Sequence, residues 1–172
     1  LKKKILVEGS KLTAEKVLTN PLRAQINQYI AQNPGSRVRD IRKAMDIDSA
    51  ESKWHLTVLE KFGFLRSKYF GKYHSFYPAI LPETYDEVLC VLRQDTAYRV
   101  FYDVFLSPNS SSQEISDRLA LNNPATAKYH ADKLINLQLF TPATDPEGSQ
   151  ERYSVNTSMW VEIVKFSPGF TS

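Results

Sequence analysis

Two clusters of side chains with the chemistry to hold a polyanion stand close together in the first half of the sequence. Arg37, Arg39, Arg42 and Lys43 form one basic cluster. Arg66, Lys68, Lys72 and His74 form another. Between them lie Ser49, Ser52, Lys53, Trp54, His55 and Thr57, a mixture of donors, one cation and one indole. Arg and Lys pair with phosphate oxygens, and Lys, Ser and Thr also reach the edges of bases. The Trp54 indole N–H is foremost a packing group, and it can donate to a phosphate. Glu51, in the same stretch, is repelled by phosphate but can accept from cytosine.

The elements that must position these groups are read from capping and periodicity. Asp48 and Ser49 are good N-caps, and Asp48 with Glu51 has the form of a capping box. They open a helix over 50–62, which Gly63 stops. Leu56 and Leu59 share one face of it, leaving Glu51, Lys53 and Thr57 to look outwards. A shorter helix over 37–45 precedes it, with Val38, Ile41 and Met45 on one face and a turn at 46–48. Strands over 65–69 and 73–77 follow, joined at Phe70-Gly71-Lys72. Arg66, Lys68, Lys72 and His74 alternate along this hairpin, so several are expected on one face. Helix, turn, capped helix and basic hairpin is the order of a winged helix-turn-helix. In that arrangement the helix over 50–62 enters a DNA major groove and the wing over 65–77 lies on the backbone.

Charge distribution agrees with this division. The 172-residue chain carries a net +3. Residues 1–80 hold 15 Lys+Arg against 7 Asp+Glu, and residues 81–172 hold 7 against 12. A basic first half suits a polyanion partner and an acidic second half does not. No apolar run approaches the roughly 18 residues of a membrane span, and no secretory signal pattern is present. The expected location is cytoplasmic and nucleoid-associated. The chain begins at Leu1, which reads as an excised piece; membrane association would need a further N-terminal segment. Cys90, the one cysteine, lies in the run Val88-Leu89-Cys90-Val91-Leu92 and reads as a buried small hydrophobe.

Along the chain, residues 1–19 form an N-terminal arm with a short helix over 11–18, and residues 1–18 read as a dimerisation arm, a strand or the tail of a further domain. Asn20-Pro21 caps and opens a helix carrying Leu22, Ile26, Tyr29 and Ile30, which Asn33-Pro34-Gly35 ends. After a connector at 79–82, a short helix over 83–93 is followed by a break at 94–96, with Thr96 as the next cap. Tyr98, Phe101, Tyr102 and Phe105 then recur at helical spacing.

An internal repeat follows at an offset of about 75 residues. Ser111 and Glu114 make a capping box. Ile115, Leu119 and Leu121 match Ile41, Met45 and Ile47. Asn123-Pro124 opens a helix whose Lys128-Tyr129-His130 aligns with Lys53-Trp54-His55, and Leu134 with Leu59. Phe140 falls at Leu65, and residues 152–155 match the returning wing strand. The tip at 145–148 is a hairpin-turn sequence. A final helix over 157–166 has Met159, Trp160, Ile163 and Val164 as its apolar side. The expected fold is mainly α with small β-hairpin wings (α+β): an arm (1–19), a basic winged helix (20–80), a linker helix (81–95), a second winged helix with an acidic wing (96–156) and a C-terminal helix (157–172).

The segments Asn20-Pro21-Leu22-Arg23, Asn33-Pro34-Gly35, the run from Trp54 to Leu65, Gly71-Lys72-Tyr73 and Phe76-Tyr77-Pro78 resemble the winged-helix regulators grouped with ArsR and MarR. The likeness is greatest to archaeal tandem versions, in which an aromatic-His-Leu signature sits in the recognition helix. It covers roughly 20–155, and the second copy is looser, with Ala131 where Leu56 stands. The resemblance implies a dimeric transcription factor on double-stranded DNA. It also covers metal sensors, but their paired-cysteine site is missing here.

The DNA-facing set expected from all this is Arg37, Arg39, Ser49, Ser52, Lys53, Trp54, His55, Thr57, Arg66, Lys68, Lys72 and His74, with Lys128 from the second copy. Each has a plain alternative as a solvated or packed side chain, and for Ser52 and Thr57 the two readings stand level. His55 and His130 are read as hydrogen-bonded in the fold or to a phosphate, because no Cys or carboxylate stands at ligand spacing. No metal, cofactor or catalytic machinery is expected: there is no Gly-rich phosphate loop and no nucleophile with a base. Asp145, Glu147 and Glu151 would push the second wing from DNA, leaving a protein-contact module or a reader through Thr126, Lys128 and Lys133 alone. A homodimer on double-stranded DNA is the first reading. A winged-helix scaffold for other proteins is the second.

Overall fold

The structure, a computed structural model, describes residues 5–7, 10–145 and 150–170. Two short strands, β1 (Ile5–Val7) and β2 (Ser10–Leu12), pair antiparallel, and a single turn α1 (Ala14–Val17) follows. The chain then divides into two compact units, one made of Leu1–Asp86 with Phe166–Ser172, the other of Glu87–Lys165.

In the first unit α2 (Pro21–Gln32) starts under Asn20, whose side chain accepts from the Arg23 N–H. β3 (Ser36–Arg37) leads into α3 (Val38–Met45), and Asp46 turns the chain in the left-handed region at φ 53°. α4 (Ser49–Lys61) is capped by Asp48, which accepts from the Ala50 and Glu51 N–H groups at 2.6 and 2.9 Å. The Glu51 carboxylate turns towards His55 and not back to the cap, so the expected capping box is realised only in its Asp48 half. Gly63, at φ 76°, supplies the left-handed turn that ends α4. β4 (Leu65–Phe70) and β5 (Tyr73–Pro78) make the wing, with β5 in the middle of the sheet order β3-β5-β4. The two-residue strand β3, pairing Ser36 with Phe76, is too short to be seen in a hydrophobic pattern. Val17, Ile26, Ile30, Ile41, Leu56, Leu59, Leu65 and Phe76 form the core.

A 3-10 turn (Glu83–Tyr85) precedes α5 (Asp86–Leu92), where one continuous helix over 83–93 was expected. Cys90 is buried there, as its apolar run implies. In the second unit α6 (Asp95–Leu106) begins two residues too early for Thr96 to cap it; Gln94 holds that place. β6 (Ser110–Ser111), α7 (Ser112–Arg118) and α8 (Pro124–Asn136) follow, with both halves of the Ser111–Glu114 capping box present and Asn123 capping α8. β7 (Phe140–Thr144) and β8 (Glu151–Val155) repeat the wing in the order β6-β8-β7. Pro146, Glu147 and Gly148 of the expected hairpin tip lie outside the described residues. This unit combines small buried residues on α8, Ala127 and Ala131, with buried Phe101, Phe140 and Tyr153. α9 (Thr157–Phe166) buries Ile163. Each unit thus has the winged-helix order, and among the described residues no helix is long and apolar enough to cross a membrane.

After α9 the chain returns to the first unit. Phe166 meets the Tyr85 ring at 5.2 Å, and a 3-10 turn (Pro168–Phe170) lies on the end of α2. A Cβ on Gly169 would fall 2.4 Å from Asn33 Oδ1 and 2.8 Å from the Gln32 carbonyl oxygen. Gly169→Ala is therefore expected to destabilise the first unit by about 1–3 kcal/mol, read from a denaturant transition followed by Trp54 fluorescence in a Trp160→Phe background. An unchanged midpoint would mean that this turn is not seated on α2.

Candidate nucleic-acid interface

α4 sorts its own candidates. Its inner stripe is Ser52, His55, Leu56, Val58 and Leu59, all buried. Its outer face carries Ala50, Glu51, Lys53, Trp54 and Thr57, with Ser49 half-buried at the start. Two expected contacts therefore leave the DNA-facing set. Ser52 is 0% exposed and its hydroxyl donates to the Ser49 carbonyl at 3.1 Å. His55 is 4% exposed, with its ring edge-on to Trp54 at 4.7 Å and Nε2 3.8 Å from the Glu51 carboxylate. Burial, and then the Arg23 guanidinium, push the His55 imidazole below its ordinary value, so it is neutral at pH 7. Lys53 and Thr57 face solvent, and Trp54 is 42% exposed.

Arg37 is largely spent within the fold. It caps α3, its Nε donates to Asp40 at 2.8 Å, and its guanidinium lies 5.5 Å from the Tyr73 ring centroid. That pairing holds the Asp40 carboxyl below the usual carboxylate range against the opposing effect of burial. Arg39 is exposed and touches the same carboxylate at 3.3 Å.

The wing does not present its basic residues on one face. The turn at Gly71-Lys72, with Gly71 at φ 57°, sets Phe70 opposite Tyr73. Register then places Arg66 across from Tyr77 and Lys68 across from Ser75, on the face opposite to Leu65 and Phe76. His74 pairs with Tyr69 and lies on the other face, stacked on that ring at 4.1 Å. Burial keeps the His74 imidazole below its ordinary value. The expectation of a shared face holds for Arg66 and Lys68 and fails for His74.

Arg66 is also committed elsewhere. It donates through both terminal nitrogens to Asp86, a fully buried carboxylate, and at 2.8 Å to the Leu81 carbonyl. Its guanidinium lies 5.1 Å from the Tyr77 ring centroid, and the Tyr77 hydroxyl donates to the Asp86 carbonyl at 2.8 Å. The Asp86 partnership pushes the guanidinium up from its ordinary value. Removing Arg66 would strand a buried charge, so its place is structural. Lys68 reaches Glu83 at 3.7 Å, a solvent-exposed pair of little strength. Lys72 is exposed at the tip.

The lysine in the equivalent place of the second unit is paired. Lys128, expected to meet DNA, donates to Glu151 of β8 at 2.6 Å and to Asp132 at 3.1 Å. Those carboxylates raise the Lys128 ammonium, while Glu151 is lowered by the same contact. Glu151 also accepts from the Tyr153 hydroxyl at 3.1 Å, and burial pushes that phenol up to about 12. Arg118 with Asp103 and Arg152 with Glu114 are further paired cations of this unit. His130 repeats the position of His55, its Nδ1 likewise buried without a partner among the described residues.

Arg23, outside the expected set, contacts Trp54. This side chain is 6% exposed, its Nε donates to the Val17 carbonyl at 2.7 Å, and its guanidinium lies 5.3 Å from the Trp54 ring centroid. The signal available was its position in the first turn of a helix, where the helix dipole disfavours a cation.

No family model matches the chain. It is 34% identical over 162 residues to an uncharacterized HTH-type transcriptional regulator of Methanocaldococcus jannaschii, covering 94% of this chain and 39% of that protein. The chain thus spans about two fifths of the length of the curated relative it matches. Among solved structures it is similar to a homodimeric winged helix-turn-helix DNA-binding domain of Mycobacterium bovis, described as a possible ArsR-family regulator, with TM-score 0.37, 21% identity, and coverage of 56% of this chain and 82% of that one. It is also similar to ScpB of Mycobacterium tuberculosis, with TM-score 0.32, 11% identity, and coverage of 90% and 98%. The resemblance to archaeal helix-turn-helix regulators read from the residues is borne out by the first of these.

The histidines give the stability a defined pH dependence. Burial depresses His55, His74 and His130 from an ordinary value of 6.5. The unfolded chain therefore binds protons that the folded one refuses, and stability present above pH 6.5 is lost as the pH falls below it. The lowered carboxylates of Asp40, Asp48, Glu114 and Glu151 act only nearer their ordinary values of 3.8 and 4.5. Denaturant midpoints are expected to fall from pH 7 to pH 5.5, and His55→Gln should flatten that fall by up to about one proton. A midpoint independent of pH in this window would contradict the burial described.

Proposed function

We propose that this chain binds double-stranded DNA as a sequence-specific transcriptional regulator, with α4 in the major groove and the wing tip on the adjacent backbone. The observation that carries the reading is the outer face of α4, where Lys53, Trp54 and Thr57 are exposed together on a well-capped helix backed by a complete core. Lys53 and Thr57 have the reach and donors for base edges or phosphates. Trp54 borders them. Ser49 stands at the helix start, beside backbone N–H groups. Lys72 at the tip, with Lys68 and Arg39, would meet phosphates, because exposed ion pairs yield readily to a polyanion. The similarity to an archaeal HTH-type transcriptional regulator supports the same reading. A homodimer belongs to the proposal because one short helix reads only a few base pairs. Under this reading the chain is cytoplasmic and nucleoid-associated.

The second unit favours another role. Lys128 is held by two carboxylates, Glu151 at 2.6 Å and Asp132 at 3.1 Å, where Lys68 meets one at 3.7 Å, so a phosphate would have to displace both to reach the counterpart of Lys53. We propose that this unit contacts protein and not DNA.

Fluorescence anisotropy with duplex DNA across a salt series tests both halves. The wild-type affinity should fall steeply with salt. Lys53→Gln and Lys72→Gln should each weaken binding and reduce the slope of log K against log salt by about one. Lys128→Gln should change neither. Absence of binding to any duplex at low salt, by folded protein, would overturn the DNA reading, and an equal effect of Lys128→Gln would return the second unit to the DNA surface.

A further inference from the structure

Arg23 is an expensive residue in its setting. It occupies the third position of α2, where the N-terminal dipole opposes a cation. It is almost wholly buried, and among the described residues no carboxylate pairs with it. Burial alone pushes its guanidinium below the ordinary value. A buried cation without a counter-ion costs free energy that its contacts must offset. Two contacts do so. Nε donates to the Val17 carbonyl at the end of α1, and the guanidinium lies against the Trp54 ring. Trp54 is therefore bounded by Arg23 and by the His55 ring edge.

The second unit serves as an internal comparison. Counting from the N-caps, Asn20 and Gln94, the residue in the place of Arg23 is Ala97, which is buried. Tyr129 stands where Trp54 does. It has the same edge-on neighbour, His130 at 5.1 Å, but no cation over its ring among the described residues. Tyr129 is 63% exposed against 42% for Trp54. The unit whose Lys53 has no ion-pair partner among the described residues has the clamp, and the unit whose lysine is held by two carboxylates lacks it.

We infer that Arg23 is a positioning residue for DNA binding: it holds Trp54 in one orientation at the edge of the DNA-facing surface of α4, through the cation over the ring and the anchor on Val17, without touching DNA itself. The inference rests on the DNA reading above. The guanidinium itself matters to it, because a lysine keeps the charge but not the weakly hydrated, delocalised cation or the directed Nε donor.

The test uses the full chain in a Trp160→Phe background, which leaves Trp54 as the only tryptophan. Acrylamide quenching of Trp54 is measured without DNA, and duplex affinity is measured across a salt series. The variants are Arg23→Gln, Arg23→Lys, Trp54→Leu and the Arg23→Gln/Trp54→Leu pair. Arg23→Gln should make Trp54 more quenchable and weaken binding by about three- to tenfold at every salt concentration, with the slope unchanged. Arg23→Lys should be intermediate. In the Trp54→Leu background Arg23→Gln should cost less than about twofold. A slope lowered by about one would make Arg23 a phosphate contact and overturn the inference. Additive losses in the double variant, or unchanged quenching, would overturn it equally. If Arg23→Gln does not fold, Arg23→Lys carries the same quenching and slope comparison. Failure of the wild-type chain to bind any duplex would overturn the DNA reading and this role together, whereas failure confined to the variants' pattern would overturn only this role.

Discussion

Burial of Leu56 and Leu59 beneath α2 and α3 determines what α4 can offer. A helix turning every 3.6 residues cannot bury those two leucines without also burying Ser52 and His55 on the same side. The same geometry leaves Lys53, Trp54 and Thr57 outside. The chemistry of the outer face follows from the packing of the inner one. Each buried leucine contributes about 1.5–3 kcal/mol, enough to hold a neutral histidine and a hydrogen-bonded serine in the interior beside it.

A comparable constraint acts on the wing. Its two-residue turn fixes which residues oppose one another, and that parity separates His74 from Arg66 and Lys68. Carboxylates then decide which cations remain available. Asp86, fully buried, captures Arg66, and Glu151 captures Lys128 across the second hairpin. Formal charge therefore overstates the basic surface of both units. The first unit keeps exposed Lys53, Lys68 and Lys72, while the second keeps much less.

Local signals were read well because their causes are local. Asn20 before Pro21, Asp48 before α4, Ser111 with Glu114, and Gly63 and Gly71 each act within a few residues, so sequence spacing is enough to find them. The two winged-helix orders and the repeat followed from these and from the apolar stripes. What sequence spacing could not carry were partnerships formed across long separations. Arg66 and Asp86 are twenty residues apart, Lys128 and Glu151 twenty-three. Neither pairing is written in any periodicity. Arg23 lies in the Asn20-Pro21-Leu22-Arg23 segment, yet its contact with Trp54 depends on how α2 crosses α4. The strands β3 and β6 escaped notice because two residues make no alternation.

The return of Phe166–Phe170 to the first unit has a consequence for how the chain acquires its structure. Topologically, the second unit is an insertion within the first. A ribosome delivers Glu87–Lys165 in full before it delivers the residues that finish the unit begun at the N-terminus. The second unit therefore has its whole sequence in hand first, and the first unit completes after it, when Gly169 reaches the end of α2. Order of maturation here runs against order of sequence.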